Sequence, residues 1–212
     1  RVFIYMRTNK TSFILLELLL VILILSLLYN SFVPKKQNGN LKDLKRNLTL
    51  QMKYLRYQAL IESKYNLNEN KWFKKLWTIK FQRCRKSVGG FYYSIYSDRN
   101  MQGHINREET LKDPLSNKYI YANNYCKENS KDSKYTLLTK NYNVEKINIS
   151  CNNTNSIGQI SYDYYSNIYT KLGERRSSLD TKALNSSCKI EFIDKYANKE
   201  EIYIEKNTGY IR

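Results

Sequence analysis

FILLELLLVILILSLLYNSFV, residues 13–33, is an almost unbroken apolar run that decides the fold of the N-terminal part of the chain. At 1.5 Å per residue it predicts a helix about 31 Å long, which matches the hydrocarbon core of a bilayer. Its one charged residue is Glu17. A charge within an apolar span costs about 2.5–3.5 kcal/mol on insertion scales, so Glu17 is either a functional group or a side chain that snorkels to the interface.

The residues on either side of this run complete a set of four features. A short leader with Arg7 and Lys10 precedes Phe13, Glu17 follows four residues later, and Pro34 ends the run. The set resembles the N-terminus of the type IV pilin-like family, which includes pilins, minor pilins and the pseudopilins of type II secretion. The resemblance covers roughly residues 7–59.

The resemblance implies specific roles for four of these residues. A prepilin peptidase would cut between Ser12 and Phe13 and methylate the new amino terminus at Phe13. Glu17 would act in filament assembly, and Pro34 would kink the helix. Ser12 stands where the family usually has glycine before the cut. The expected true start of the chain is Met6, with the preceding residues an over-extended reading frame.

Beyond the apolar run, the helical pattern continues. Apolar residues recur at steps of three and four with polar residues between them, which predicts an amphipathic helix lying against a globular domain. Pro34 lacks an N–H and is expected to kink the rod rather than end it. The periodic residues are Leu41, Leu44, Leu48, Met52, Leu55 and Ala59.

After about residue 64 the pattern changes to alternation typical of half-buried strands. A helix followed by strands, without alternating helices, predicts an α+β fold in which a long N-terminal helix packs on a C-terminal antiparallel β-sheet domain. The expected strands lie near residues 77–82, 91–96, 144–150, 157–165, 189–193 and 201–205, with a turn at Thr208-Gly209 into a short last strand. The predicted segments are a cytoplasmic leader, a transmembrane helix, an amphipathic continuation and a periplasmic β-rich domain (1–12, 13–33, 34–64 and 65–212).

Charge favours export of this domain. Arg7 and Lys10 precede the span, and the positive-inside rule places them in the cytoplasm. Lys35 and Lys36 follow the span and favour the opposite orientation. The large folded remainder suits a position outside the inner membrane, where disulfides form. We therefore expect a single-pass inner-membrane protein with a periplasmic domain, which a filament would carry to the outside of the cell.

The net charge is strongly positive, at +17 from 36 Lys+Arg against 19 Asp+Glu. Removing the leader with Arg1, Arg7 and Lys10 leaves +14. Such a charge suits nucleic acid, anionic lipid or other acidic molecules as partners. The basic residues are scattered singly along the sequence, which favours a solvated surface. The 20 tyrosines fit half-exposed strand faces, with base stacking on nucleic acid as the alternative.

Residues 98–109 have the spacing of a twelve-residue calcium loop, D-x-[DN]-x-[DN]-G-x₅-E. Only two of the ligands are carboxylates, so a weak site is expected, and some pseudopilins bind calcium in their globular domains. The alternative is a polar loop held by its own Asx turns. The candidate ligands are Asp98, Asn100, Gln102, the backbone carbonyl of His104 and Glu109, with Gly103 at the turn and Asn106 at the ninth position.

The four cysteines are Cys84, Cys126, Cys151 and Cys188. They form no C-x-x-C and the chain has one histidine, so a zinc site is not expected. Three pairings are possible, and free buried thiols are an alternative. Because Cys151 closes one expected strand and Cys188 opens another, we favour Cys151–Cys188, which leaves Cys84–Cys126.

The sequence has no G-x-S-x-G motif, placed catalytic cysteine or P-loop, so we expect a structural subunit rather than an enzyme. The predicted function is that of a subunit of a type IV pilus or type II secretion pseudopilus, with prepilin peptidase and other subunits as its partners. One alternative is a DNA-uptake pilin that binds DNA through a basic, Tyr-rich surface. The other is a plain single-pass anchored protein.

Overall fold

The structure, a computed structural model, describes residues 10–32, 41–152 and 156–212, and it divides into two compact units, 1–37 and 38–212. In the first unit, helix α1 spans Lys10–Phe32. Its sequence is apolar on every side, because leucine, isoleucine and valine fill all its faces. A helix of this kind has no polar face to turn to water.

The second unit is built from two helices and seven strands within its described residues. The strand sequences are rich in β-branched and aromatic residues, which favour extended backbone. Short 3₁₀ turns connect several of the elements. The helices are α2 (Leu41–Ile61) and α3 (Leu138–Tyr142); the strands are β1 (Trp77–Arg83), β2 (Phe91–Tyr96), β3 (Val144–Ile149), β4 (Gly158–Tyr162), β5 (Ile168–Tyr169), β6 (Cys188–Asp194) and β7 (Lys199–Ile204).

The strands form two sheets rather than one. The first has the order β2-β1-β4-β5 and the second the order β3-β6-β7, and every pair of strands is antiparallel. The prediction of an α+β fold with antiparallel strands is confirmed. The rings of Phe81 and Phe192, one from each sheet, lie 6.0 Å apart within one core.

Helix α2 supplies one wall of this core. The periodic residues predicted to face the domain are buried, with Leu48, Met52 and Leu55 fully enclosed. On the same face Gln51 is also buried and accepts a hydrogen bond from the Tyr93 hydroxyl at 2.5 Å. The amphipathic helix was expected over 34–64. It begins at Leu41 and ends at Ile61, and residues 34–40 lie outside the described part of the chain.

One strand boundary and two short elements differ from the sequence prediction, each for a physical reason. The strand expected over 157–165 stops at Tyr162, because the Asp163 side chain accepts hydrogen bonds from the backbone of Tyr165 and Asn167 and forms a tight turn. The chain then returns as β5, which the sequence analysis did not predict. Helix α3 was also missed, since its five residues are too few to show a helical period.

The long connection 97–137 covers the free edge of β2. Ile95 donates to the Ile120 carbonyl and accepts from the Leu111 N–H, so the connection continues the hydrogen bonding of the sheet. Within the connection, Arg107 donates two hydrogen bonds to the Asp132 carboxylate, from Nε to Oδ1 at 2.7 Å and from Nη2 to Oδ2 at 3.0 Å. Covering an edge in this way removes a template for unwanted strand pairing.

Candidate functional site

The side chains described in α1 run from Leu16 to Tyr29, and all of them are exposed. The exposed fraction of its large apolar side chains ranges from 46% at Val21 to 72% at Tyr29. Such an area of apolar surface is far more than a soluble monomer exposes and marks a site of protein or membrane contact. Ser26, the other polar residue in this stretch, has its hydroxyl bonded to the Leu23 carbonyl at 2.8 Å.

The residues predicted for processing and assembly are placed as follows. Glu17 is exposed on α1, and no cation pairs with it among the described residues. Ser12 and Phe13 lie near the start of the α1 backbone, and their side chains are outside the described part. Pro34 also lies outside the described residues. Cleavage, methylation and the proline kink therefore stay predictions.

None of the helices in the described residues is long and apolar enough to cross a membrane. The transmembrane helix expected over 13–33 is not confirmed and stays a prediction.

The predicted calcium loop follows β2 directly and has a defined shape. The Asp98 carboxylate accepts the Gly103 N–H through Oδ2 at 2.9 Å, while its Oδ1 is buried with no hydrogen-bond partner in the described structure. Gly103 has φ +75°, a left-handed conformation that glycine adopts without a steric cost. Asn100 caps the turn through its Oδ1, which accepts the Gln102 N–H at 2.9 Å.

The far end of the loop returns to its beginning through Glu109. Its Oε1 accepts the Asn100 N–H at 3.0 Å and its Oε2 accepts the Asn106 Nδ2 at 3.1 Å. Asp98 and Glu109 are 6% and 7% exposed. Burial raises the pKa of the neighbouring Tyr96, and the negative charges of Asp98 and Glu109 raise it further. The loop therefore encloses negative charge.

The predicted ligands differ in burial. Asp98 and Glu109 are brought to one loop, whereas Gln102 and His104 are exposed. Within the described residues, no group of three or more His, Cys, Asp or Glu side chains could hold a metal ion. The hydrogen bond from the Gln102 N–H to the Asn100 Oδ1 forms an Asx turn, as the alternative interpretation expects, and calcium binding stays a prediction.

The structure contains both disulfides that were favoured, one from strand positions and one as the remaining pair. Cys84 bonds Cys126, with Cα atoms 5.8 Å apart, and Cys151 bonds Cys188 at 5.2 Å. The second pair follows from sheet register. Ile149 faces Ile190 across the antiparallel strands β3 and β6, so Cys151, two residues after Ile149, stands opposite Cys188, two residues before Ile190.

A basic groove on the outer face of α2 was not predicted. It has a volume of about 650 Å³ and contains five cations. The C-terminal residues reach α2 because Arg212 and Tyr203 exchange backbone hydrogen bonds along β7. Sequence reasoning missed the cluster because its two parts are far apart in the chain. The residues lining this α2 groove are Lys42, Lys45, Arg46, Thr49, Leu50, Lys53, Tyr210 and Arg212.

Several cations of this groove form ion pairs with neighbouring carboxylates. Lys45 lies 3.4 Å from Glu200, and Arg212 lies 4.0 Å from Glu205. The Lys53 ammonium stands 5.5 Å from the centre of the Tyr210 ring. Exposed pairs of this kind contribute at most about 1 kcal/mol, so the cations can exchange these partners for a ligand.

Comparison with known proteins finds no matching family model, curated protein or solved structure.

Proposed function

We propose that the chain is a structural subunit of a type IV pilus or type II secretion pseudopilus, processed by a prepilin peptidase and assembled through its N-terminal helix. In this proposal the leader, residues 1–12, stays in the cytoplasm and residues 13–33 cross the inner membrane. The β-rich domain lies in the periplasm or on the filament. The observation that carries the proposal is the apolar helix α1 with its single carboxylate.

The exposed surface of α1 supports this role. Leucine, isoleucine and valine cover every face of the helix, and no described side chain of residues 16–29 is buried. Burying such side chains stabilises by about 1.5–3 kcal/mol each. A helix with this composition therefore gains most from a bilayer and then from a bundle of like helices, which are the two environments of a filament subunit.

Glu17 supports assembly over plain anchoring, since an anchor has no use for a carboxylate in its apolar span. In a helical bundle an unpaired carboxylate is strongly destabilising. Its natural partner is the free α-amino group at Phe13 of a neighbouring subunit, which processing would create. A buried pair of this kind fixes the register between subunits, because only one axial offset brings the two charges together.

Intact and N-terminal peptide mass spectrometry of the protein from its native membrane tests this function. The expected result is a mature chain that begins at methylated Phe13. A chain that keeps Met6 as its start, without methylation, would contradict the proposal and leave a plain anchored protein.

The loop 98–109 favours a second, compatible role, which is weak binding of calcium. The specific observation is the buried Asp98 Oδ1, which lacks a hydrogen-bond partner in the described structure, beside an Oδ2 that Gly103 holds in place. A carboxylate oxygen fixed in orientation and unused by the protein suits a hard cation. With Asp98 and Glu109 as the only charged ligands, the affinity would suit millimolar calcium outside the cytoplasm.

Thermal unfolding of the detergent-solubilised chain with added calcium or magnesium tests this second role. Calcium is expected to raise the melting temperature more than magnesium does, and Asp98→Asn is expected to abolish the rise, because ligand binding to the native state stabilises it. Asp180→Asn, a change at an exposed carboxylate elsewhere, is the matched control. An equal rise in Asp98→Asn would contradict the assignment of the site.

A further inference from the structure

We propose that the α2 groove binds the phosphate groups of anionic phospholipids at the membrane surface. The inference rests on the proposed function, because it takes α1 to be inserted in a bilayer. It goes beyond that function in naming a ligand class and a surface of the second unit that recognises it.

The charge of the groove suits a phosphodiester. Five cations line it, whereas none of its lining residues is acidic. The neighbouring carboxylates Asp43, Glu200 and Glu205 stand on the rim and pair with three of the cations at 3.4–4.0 Å. Arginine can grip a phosphate with two parallel hydrogen bonds, and lysine adds a point charge, so both are effective in binding phosphate.

Exposed apolar surface in the groove favours a lipid as its ligand. Leu50 is 49% exposed and Tyr210 is 51% exposed, and both line the groove. An aliphatic side chain and an amphipathic ring are the residues that settle at the boundary of headgroups and acyl chains. A phosphate backbone alone would leave the Leu50 side chain without a matching partner.

The position along the chain also favours a lipid. The α2 residues of the groove lie between Lys42 and Lys53, in the first half of the helix. Nine peptide steps join the end of α1 at Phe32 to the start of α2 at Leu41, and they span at most about 32 Å when fully extended. In the sequence these cations follow the apolar run closely, and anionic headgroups attract basic side chains that lie at a membrane surface.

The test uses the full chain in lipid nanodiscs of phosphatidylcholine alone or mixed with phosphatidylglycerol, with hydrogen exchange as the readout. Residues 41–53 are expected to exchange about tenfold more slowly in the anionic discs. The double variant Lys42→Gln/Lys53→Gln is expected to lose this difference. Lys86→Gln/Lys171→Gln, which removes the same charge from exposed positions elsewhere, is expected to keep it.

Three outcomes would overturn the proposal. Equal exchange of residues 41–53 in both kinds of disc, in a chain that has entered them, would refute lipid binding and leave the subunit role intact. Stronger protection of the same residues by a short DNA duplex added to neutral discs would assign the groove to nucleic acid. A chain that enters discs of neither composition would refute membrane insertion, and the lipid proposal with it.

Discussion

A short pattern of residues shapes two of the hairpins. Residues 163–167 and 194–198 both read Asp-x-Tyr-x-Asn. In each turn the aspartate accepts two backbone N–H groups on Oδ1 and the asparagine amide on Oδ2, at distances of 2.8–2.9 Å. The residue before the asparagine adopts a left-handed conformation, with φ 66° at Ser166 and 62° at Ala197. One carboxylate thus satisfies three donors that the reversal of the chain leaves open.

Asp194 gives this turn a predictable pH dependence. Burial by itself raises the pKa of Asp194, but its hydrogen bonds with Asn198 and Tyr196 outweigh burial and hold the pKa below its ordinary value of 3.8. The ionised carboxylate therefore stabilises the fold above the unfolded pKa, and this stabilisation is lost as the pH falls through the folded pKa. We expect Asp194→Asn to lower the free energy of unfolding by about 1 kcal/mol at neutral pH.

Denaturant unfolding at several pH values checks this prediction. The gap between the wild type and Asp194→Asn is expected to close as the pH falls below the ordinary aspartate pKa, because both side chains are then uncharged. Asp180→Asn, at an exposed carboxylate, is the control and is expected to change little. A gap that stays constant down to about pH 2 would show that ionisation of Asp194 does not stabilise the turn.

The prediction for the apolar helix concerns the role of Glu17 in assembly. Glu17→Leu is expected to permit insertion and cleavage, since it makes the span more apolar, and to lower filament assembly, since it removes the partner of the Phe13 amino group. Sheared-filament yield from cells measures the effect. Ser26→Leu makes a similar polar-to-apolar change in the same helix and should assemble normally. Normal assembly of Glu17→Leu would refute the assembly role.

At the scale of elements, local patterns identified more than long-range ones. The stripe of α2 was predictable because burial repeats every three or four residues, and β6 because its burial alternates. Alternating residue types also predicted β1 and β2, but β2 is buried on both faces rather than half-buried. The division into two sheets was not, since it depends on which strands pair across distant parts of the chain. The α2 groove could not be predicted for the same reason. Lys53 and Tyr210 come together only when β7 has formed.

The two disulfides differ in what they hold. Cys84–Cys126 ties the end of β1 to the connection 97–137, whereas Cys151–Cys188 lies within the second sheet. Removing either pair should cost about 2–4 kcal/mol of unfolding free energy. The local effects should differ: Cys84→Ala/Cys126→Ala is expected to speed hydrogen exchange mainly in the connection.

Each double variant is the control for the other. Cys151→Ala/Cys188→Ala should leave exchange in residues 97–137 close to that of the wild type and accelerate it in β3 and β6, because regions open as local units. Identical exchange patterns in the two variants would show that the connection and the second sheet open together.

At the scale of the whole molecule, the domain and the apolar helix have separate sources of stability. The large core cluster of the second unit draws all its buried residues from Leu41 onward. These residues come mainly from α2 and both sheets. The covered edge of β2 and both disulfides also belong to the second unit.

This separation predicts that residues 38–212 fold without the apolar helix. The truncated chain should unfold in one transition, with a denaturant midpoint close to that of the full chain in detergent, because the buried core is unchanged. Circular dichroism during denaturation measures both midpoints. Leu48→Ala in the truncated chain is the matched positive control and should lower the free energy of unfolding by about 2–5 kcal/mol, since Leu48 is fully buried. A midpoint far below that of the full chain would mean that α1 contributes to the stability of the domain, and the subunit would then have to be treated as one cooperative body.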